Sequence, residues 1–72
     1  MNSIKEIVVN INEEKHSFSL ESTIDSIFTE LNLSQNGVAI AINEQIIPKG
    51  KWITTKLRTN DKILIITATQ GG

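Results

Sequence analysis

A single stretch of this sequence has the spacing of an amphipathic helix, and that limits the folds open to the chain. Apolar residues occupy the i, i+3, i+4 and i+7 positions of one stripe, namely Ile24, Ile27, Phe28 and Leu31. Ser22 followed by Asp25 has the spacing of a capping box and predicts the helix start, while Asn36-Gly37 predicts the end of the segment. One helix stripe has to be buried against something else, and the rest of the chain is patterned as strands.

The N-terminal part of the chain reads as a β-hairpin. Ile7, Val9 and Ile11 alternate with residues of the opposite face, which is typical of a strand with one buried side. A polar turn, residues 12–14, separates this run from a returning strand over residues 15–20. We expect His16, Phe18 and Leu20 to share one side of that second strand.

Three more strands are predicted after the helix. In residues 38–42 large side chains alternate with Ala39 and Ala41, so the large set is expected to pack on the helix and the alanines to form the outer face. Ile46-Ile47 is a very short strand that Pro48 ends, because proline cannot donate to a ladder. Residues 49–58 are expected to be irregular with one loose turn of helix, and residues 62–68 to form the final strand.

This order of elements predicts an α+β roll, with a mixed sheet of about four to five strands packed on one helix. The first and last strands can pair in parallel, since the intervening chain supplies the long crossover that parallel pairing needs. The topology matches the ubiquitin-like β-grasp fold. Residues 1–68 are expected to form this domain and residues 69–72 a flexible tail.

Composition excludes several classes of function. The 72 residues include no cysteine, so thiol chemistry, disulfides and thiolate metal sites are not available. Seven Lys and Arg against eight Asp and Glu give no basic footprint for nucleic acid. No stretch approaches a membrane span, and the first residues lack an apolar signal region. We therefore expect a cytoplasmic protein with no nucleic-acid or membrane partner.

The sequence ends in Thr69-Gln70-Gly71-Gly72, directly after the last predicted strand. Glycine loses more conformational entropy on ordering than any other residue and packs no side chain, so this ending does not help a fold. It does provide a thin, flexible segment that carries one reactive group, the terminal carboxylate. A frayed end is the alternative, and we favour a functional tail.

The last strand also predicts a docking surface. We expect Ile63 and Ile65 to face the helix and Leu64 and Ile66 to lie on the opposite face, beside Ala39 and Ala41. Because a domain of this size has one layer of helix to cover its sheet, this outer face should be at least partly exposed. The alternative is that the loop holding Trp52 covers it.

Three further features favour structural interpretations. His16 has no second ligand near it in the sequence, so a partly buried packing role is expected rather than a metal or catalytic one. Trp52 is expected to anchor its loop over the core. Five of the seven cations lie within fourteen residues and are expected to form a solvated face, with electrostatic steering toward an acidic partner as the alternative; they are Lys49, Lys51, Lys56, Arg58 and Lys62.

Taken together, these residues resemble the thiamine-biosynthesis sulfur-carrier family. The resemblance is carried by the segment from Val38 to Lys49, by Trp52, and by the run containing Leu57, Asp61, Ile63 and Ile65 to Gly72. The sister family that carries sulfur for molybdopterin usually has two prolines shortly before its final glycines, where this chain has Thr67 and Ala68. One departure from the thiamine family is the extra residues ahead of Ile7.

The resemblance implies a specific chemistry at Gly72. An E1-like adenylating enzyme would use ATP and magnesium to convert the carboxylate of Gly72 into an acyl-adenylate. A sulfur donor, supplied by a cysteine desulfurase or a persulfide relay, would then form a thiocarboxylate, from which thiazole synthase takes the sulfur. Gln70 and Gly71 would thread the enzyme's channel. On this interpretation the chain binds no cofactor and is a substrate and carrier without a catalytic residue.

Three alternatives remain open from the sequence. A ubiquitin-like protein modifier would begin with the same adenylation but end in an isopeptide bond to a lysine. The carrier could also serve another pathway, such as molybdopterin synthesis. A plain binding or regulatory β-grasp domain would have an incidental Gly-Gly.

Overall fold

A computed structural model describes residues 6–67 of the chain, and its elements follow the predicted order. They are β1 (Glu6–Ile11), β2 (Glu14–Ser19), α1 (Ile24–Glu30), β3 (Val38–Ile42), β4 (Gln45–Ile47), a 3₁₀ turn (Lys49–Lys51) and β5 (Lys62–Thr67). Within residues 6–67 neither the length nor the hydrophobicity of any helix reaches that of a membrane-spanning segment. The predicted boundary between a domain and a tail at residues 68 and 69 lies outside the described residues.

The five strands form one mixed sheet in the order β2-β1-β5-β3-β4. The first and last strands pair in parallel, with Asn10 opposite Lys62 and Ile11 opposite Ile63, as predicted. The other three pairings, β1 with β2, β3 with β4 and β3 with β5, are antiparallel. The strand that leads to the chain's last residues therefore lies at the centre of the sheet.

The core lies between one face of this sheet and the helix. Ile24 and Ile27 of α1 are fully buried and Phe28 nearly so, which confirms the predicted stripe. The inward residues of β1 are also buried, and so are Ile40 of β3 and Ile63 of β5. Val38, Ile42 and Ile65 pack partly buried against this cluster. The predicted inner faces of β1, β3 and β5 are therefore confirmed.

Both hairpins turn on an Asn-Glu pair in the left-handed region. Asn12 and Glu13 have φ values of 51° and 72°, and Asn43 and Glu44 have 50° and 72°. Positive φ at both central residues is typical of the type I′ turn, whose twist suits a two-residue hairpin, and asparagine tolerates it well. β2 ends at Ser19, so the prediction that Leu20 shares one side of this strand with His16 and Phe18 is wrong: Leu20 is in a turn and 44% exposed.

The helix begins one residue later than the sequence predicted. Its N-cap is Thr23, and Ser26 takes the place expected of Asp25, with the Thr23 N–H donating to the Ser26 Oγ at 3.2 Å. Ser22 is buried, and its hydroxyl lies 3.1 Å from that of Ser19. Ser22 is thus used to hold the preceding turn and is not free to cap the helix.

The helix ends well before Asn36-Gly37, so that prediction is also wrong. Asn32 takes the left-handed conformation with φ of 57°, directly after the C-cap Leu31. The N–H of Leu33 donates to Phe28 O at 2.8 Å and that of Asn32 to Thr29 O at 3.3 Å. These two bonds form a Schellman motif, which satisfies the last carbonyls of α1.

Trp52 fastens the long loop to the helix side of the molecule, as predicted. Its ring stacks on Phe28 with centroids 5.1 Å apart, and its Nε1 donates to Ile47 O at 2.9 Å. The same loop satisfies the first N–H groups of α1, because Thr55 O accepts from Ile24 and Trp52 O from Asp25. The loop therefore does not cover the outer face of the sheet, and the alternative that it does is wrong.

Candidate functional site

The predicted docking residues lie together on the outer face of the sheet. Leu64 is opposite Ala41, and Ile66 is opposite Ala39. Directly opposed residues of an antiparallel pair project to the same face, so these side chains share one surface. The prediction that Ile63 and Ile65 face inward and Leu64 and Ile66 outward is confirmed.

The same face contains a third large apolar residue, Ile46 of β4. It is opposite Ala41, on the side of β3 away from β5. Ile46 is 62% exposed, against 46% for Leu64 and 45% for Ile66. We call Ala39, Ile46, Leu64 and Ile66 the outer apolar patch. A cluster of exposed large hydrophobics on one face suits contact with another protein.

One predicted docking residue, Ala41, has almost no accessible surface, which corrects the expectation that it is part of an exposed face. It lies on the outer face as predicted but is only 5% exposed. The reason is its position in register between two larger residues, Leu64 on one side and Ile46 on the other. Ala41 therefore forms the floor of the patch, and its small side chain leaves room for the larger ones. A docking role for the predicted residues stays a prediction.

Sequence reasoning missed Ile46, although a signal for it was present. The pair Ile46-Ile47 does not by itself show which residue faces outward. A two-residue turn at Asn43-Glu44, however, fixes Ile42 opposite Gln45 and hence Ala41 opposite Ile46. Counting outward from the turn would have placed Ile46 on the alanine face.

Charged residues border the outer apolar patch near Lys62, where β5 begins. A shallow groove there is lined by Asn10, Glu13, Glu44, Lys62, Ile63 and Leu64. Glu13, Glu44 and Lys62 are exposed. An apolar centre with a charged and polar border is the usual anatomy of a protein–protein interface.

His16 is partly buried, as predicted, and the exposure of the five clustered cations fits both a solvated face and the steering alternative. His16 is partly buried beside Phe18, and its Nε2 lies 3.7 Å from the Glu14 Oε1. Within residues 6–67 no group of three or more His, Asp or Glu side chains could hold a metal ion. The five clustered cations are exposed; Lys56 pairs with Glu21 at 2.7 Å and Lys49 lies 5.8 Å from the Trp52 ring centroid.

Two asparagine side chains extend the pairing of β5 beyond its neighbouring strands, and sequence reasoning did not anticipate this. At the end near Thr67, the Asn12 Oδ1 accepts from the Ile65 N–H at 2.9 Å, and the Asn12 Nδ2 lies 3.5 Å from Ile65 O. At the other end, the Asn43 Oδ1 accepts from the Lys62 N–H at 3.0 Å. The Asn43 Nδ2 also donates to the Asp61 Oδ1 at 3.1 Å.

The residues predicted to carry the chemistry, Gln70, Gly71 and Gly72, lie outside the described residues. Their roles stay predictions. The last described residue before them is Thr67, which ends β5 and is exposed.

Comparison with known proteins gives consistent matches. The model of the ThiS family matches residues 1–72. The sulfur carrier protein ThiS of Escherichia coli is 30% identical over 61 residues, which cover 85% of this chain and 92% of that protein. A thiazole synthase of Paramagnetospirillum magneticum is 31% identical over 62 residues, 86% of this chain but 19% of that protein.

A crystal structure of a thiamine biosynthesis protein (ThiS) from Geobacter metallireducens has the same fold. It superposes with a TM-score of 0.78 at 13% sequence identity and covers 92% of this chain and 100% of its own. This likeness confirms the predicted α+β roll of the β-grasp class.

Proposed function

The chain belongs to the ThiS family and is a sulfur carrier of thiamine biosynthesis, and on that premise we propose that it carries sulfur as a thiocarboxylate on Gly72. The observation that supports this is the extent of the family match, which includes the terminal Gly71-Gly72. The protein is a carrier and not a catalyst. Gly72 supplies the group to which sulfur is attached.

The chemistry requires activation of that group from outside. A free α-carboxyl has a pKa of about 3.5, so near neutral pH it is an anion and a poor electrophile. An E1-like adenylating enzyme with ATP and magnesium would join the carboxylate oxygen to the α-phosphorus and release pyrophosphate. Attack by the terminal sulfur of a persulfide donor, charged by a cysteine desulfurase or a persulfide relay, would then expel AMP and form an acyl disulfide. A thiol of the partner proteins would cleave its S–S bond, which leaves the thiocarboxylate on Gly72 and a disulfide on the partner. Easier covalent steps replace one difficult substitution.

Thiazole synthase is the proposed acceptor of the sulfur. The support is the relative named thiazole synthase, in which a segment similar to this chain makes up 19% of the protein. A carrier-like segment within such a protein indicates that the two activities operate together. The adenylating enzyme, sulfur donor and cytoplasmic location are proposed on the family resemblance.

The outer apolar patch is proposed as the surface that the adenylating enzyme binds. It lies on β5, the strand that leads to residues 68–72, so an enzyme bound there is close to the tail. The patch is apolar at its centre and charged at its border, as a docking surface requires.

Changing Ile66 to glutamate should weaken binding of the adenylating enzyme at least about tenfold, because a charge would be placed in an apolar contact. The melting temperature should change little, since Ile66 is 45% exposed. Ile53→Glu is the matched control, because Ile53 is 67% exposed but lies in the loop on the helix side. Affinity is measured by calorimetry with each variant. If the two variants bind the adenylating enzyme with equal affinity, the patch is not part of the interface.

The carrier function is tested by the mass of the intact chain. After incubation with its adenylating partner, ATP, magnesium and a sulfur donor, the chain should gain the mass of one oxygen-to-sulfur exchange, localised to Gly72 by fragmentation. Adducts to lysines of other proteins, without sulfur gain, would instead indicate a protein modifier. No change of either kind with an active partner enzyme would leave a plain binding domain.

A further inference from the structure

We propose that Asn12 is a positioning residue for the sulfur-carrying terminus, because its side chain holds the last part of β5 in place where β1 no longer reaches. The inference rests on the proposed function, since it concerns how the tail is presented to the adenylating enzyme. Asn12 is proposed to act through the backbone of Ile65, whose N–H donates to its side chain.

The backbone of β5 shows where this support is needed. On the side of β1, Asp61 O accepts from the Asn10 N–H and Ile63 O from the Asn12 N–H, each at 2.9 Å. The register between β1 and β5 ends at Ile11 and Ile63, because the chain turns at Asn12 and Glu13.

The next backbone position of β5 on that side is Ile65. Its N–H donates to the Asn12 Oδ1 at 2.9 Å, and its carbonyl lies 3.5 Å from the Asn12 Nδ2. A carboxamide carries both an acceptor and a donor, as a peptide group does. The Asn12 side chain therefore pairs with β5 where one further residue of β1 would have done so. The 2.9 Å bond from the Ile65 N–H contributes most of this interaction, because the contact with Ile65 O is long.

The Asn12 contact should reduce the conformational entropy that is lost when an enzyme binds the tail. Thr67 is five residues from Gly72, so the tail reaches at most about 17 Å beyond β5. Residues 65–67 also pair with β3 on their other side, so loss of the Asn12 contact would loosen one side of this segment, and an enzyme would have to order that side before it could hold the carboxylate. Ordering the backbone of one residue changes an equilibrium constant about fivefold to thirtyfold. Loss of the Asn12 contact should therefore weaken productive binding of the carrier.

Asn43 provides a matched comparison within the same chain. Like Asn12, it is the first residue of an Asn-Glu turn with positive φ, and it also accepts a hydrogen bond from a backbone N–H of β5. Its partner is Lys62, at the opposite end of the strand from the tail. The two asparagines differ in which end of β5 they hold, and Asn43 makes one further bond, from its Nδ2 to the Asp61 Oδ1 at 3.1 Å.

The experiment compares Asn12→Gly with Asn43→Gly. Glycine adopts positive φ without strain, so each turn should form while its side-chain contact with β5 is lost. Adenylation is followed by ATP–pyrophosphate exchange with the adenylating enzyme. Asn12→Gly should raise the KM for the carrier about fivefold with kcat little changed, whereas Asn43→Gly should keep the wild-type KM.

Amide hydrogen exchange gives a readout that does not depend on the enzyme. The Ile65 amide should exchange about fivefold faster in Asn12→Gly, the ratio for one hydrogen bond worth about 1 kcal/mol. Asn43→Gly should leave that amide unchanged. Asn12→Asp should restore both KM and exchange, because its side-chain oxygen can still accept from Ile65. If Asn12→Gly melts near the assay temperature, both glycine variants are assayed at a lower temperature at which each is folded.

Equal KM values for the two glycine variants, or unchanged exchange at Ile65, would overturn the role of Asn12 while the carrier function stands. The proposed function is tested with an adenylating enzyme that is shown to be active on another carrier. If this enzyme gives no pyrophosphate exchange with the wild-type chain, both the proposed function and this inference are wrong. The two failures are therefore distinguishable.

Discussion

Deletion of Gly72 should lower the rate of adenylation by more than about 100-fold and leave the melting temperature unchanged. The shortened chain still ends in a glycine carboxylate, that of Gly71, so the reacting group is present. What is lost is one residue of reach, about 3.5 Å. A misplacement of about 1 Å in a reacting geometry can cost about 100-fold in rate. The melting temperature should not change, because the residues of the buried core fall within positions 7 to 63 of the sequence.

The measurement is pyrophosphate exchange, with the melting temperature determined on the same preparation. Gly50→Ala is the control, because an added Cβ at Gly50 would meet no atom within 4 Å. That variant should be adenylated like the wild type. Wild-type rates for the truncated chain would show that activation does not depend on Gly72.

Ile40→Ala should lower the free energy of unfolding by about 2–5 kcal/mol. Ile40 is fully buried at the centre of β3, opposite Ile47 of β4 and Ile65 of β5. Its truncation removes apolar contacts and leaves a cavity between the sheet and the helix. A domain of this length is stabilised by about 4–11 kcal/mol in total, so the variant should be substantially unfolded on mild heating.

Ile46→Ala is the matched control for that prediction. It is the same substitution on the neighbouring strand, but Ile46 is 62% exposed and lies on the outer face. The free energy of unfolding of this variant should stay within about 0.5 kcal/mol of the wild-type value, as is usual for surface substitutions. Urea melts of both variants measure the difference. A loss for Ile40→Ala no greater than that for Ile46→Ala would contradict the assignment of the two faces.

The parts of the fold that the sequence predicted well depend on periodicity. Alternation in β1 and β3 fixed which residues face the helix, and the helical stripe identified α1. These patterns are reliable because burial on one face imposes a period of two on strands and of 3.6 on helices. The small residues Ala39 and Ala41 marked the outer face for the same reason.

The parts that failed depend on competition between equivalent polar residues. Ser22 and Thr23 can each cap a helix, and the choice was decided by the contact of Ser22 with Ser19. Asn32 and the pair Asn36-Gly37 can each end a helix, and the earlier one did so. Local sequence records that such residues are suited to caps and turns, but not which of them is engaged elsewhere.

Some residues of the candidate site could be predicted from the sequence and others could not. Leu64 and Ile66 followed from the pattern of β5, whereas the burial of Ala41 needed the sizes of the residues opposite it. The contact of Asn12 with Ile65 joins distant parts of the sequence, and the turn at Asn12 gives no sign of it. Contacts of this kind require the fold before they can be identified.

The place of β5 between β1 and β3 has a consequence for the order of folding. The β1–β2 and β3–β4 hairpins close over two-residue turns and can form early, as local structures do. Pairing β1 with β5 has to close almost the whole chain into a loop, which is slower because its entropy is lost before the contacts are made. The outer apolar patch takes Leu64 and Ile66 from β5 and Ala39 from β3, so it forms only when β5 pairs with β3, a less local step than the closing of either hairpin. A chain in which β5 has not yet paired with β3 should therefore lack the surface proposed for docking, and on that proposal only fully folded molecules would be loaded with sulfur.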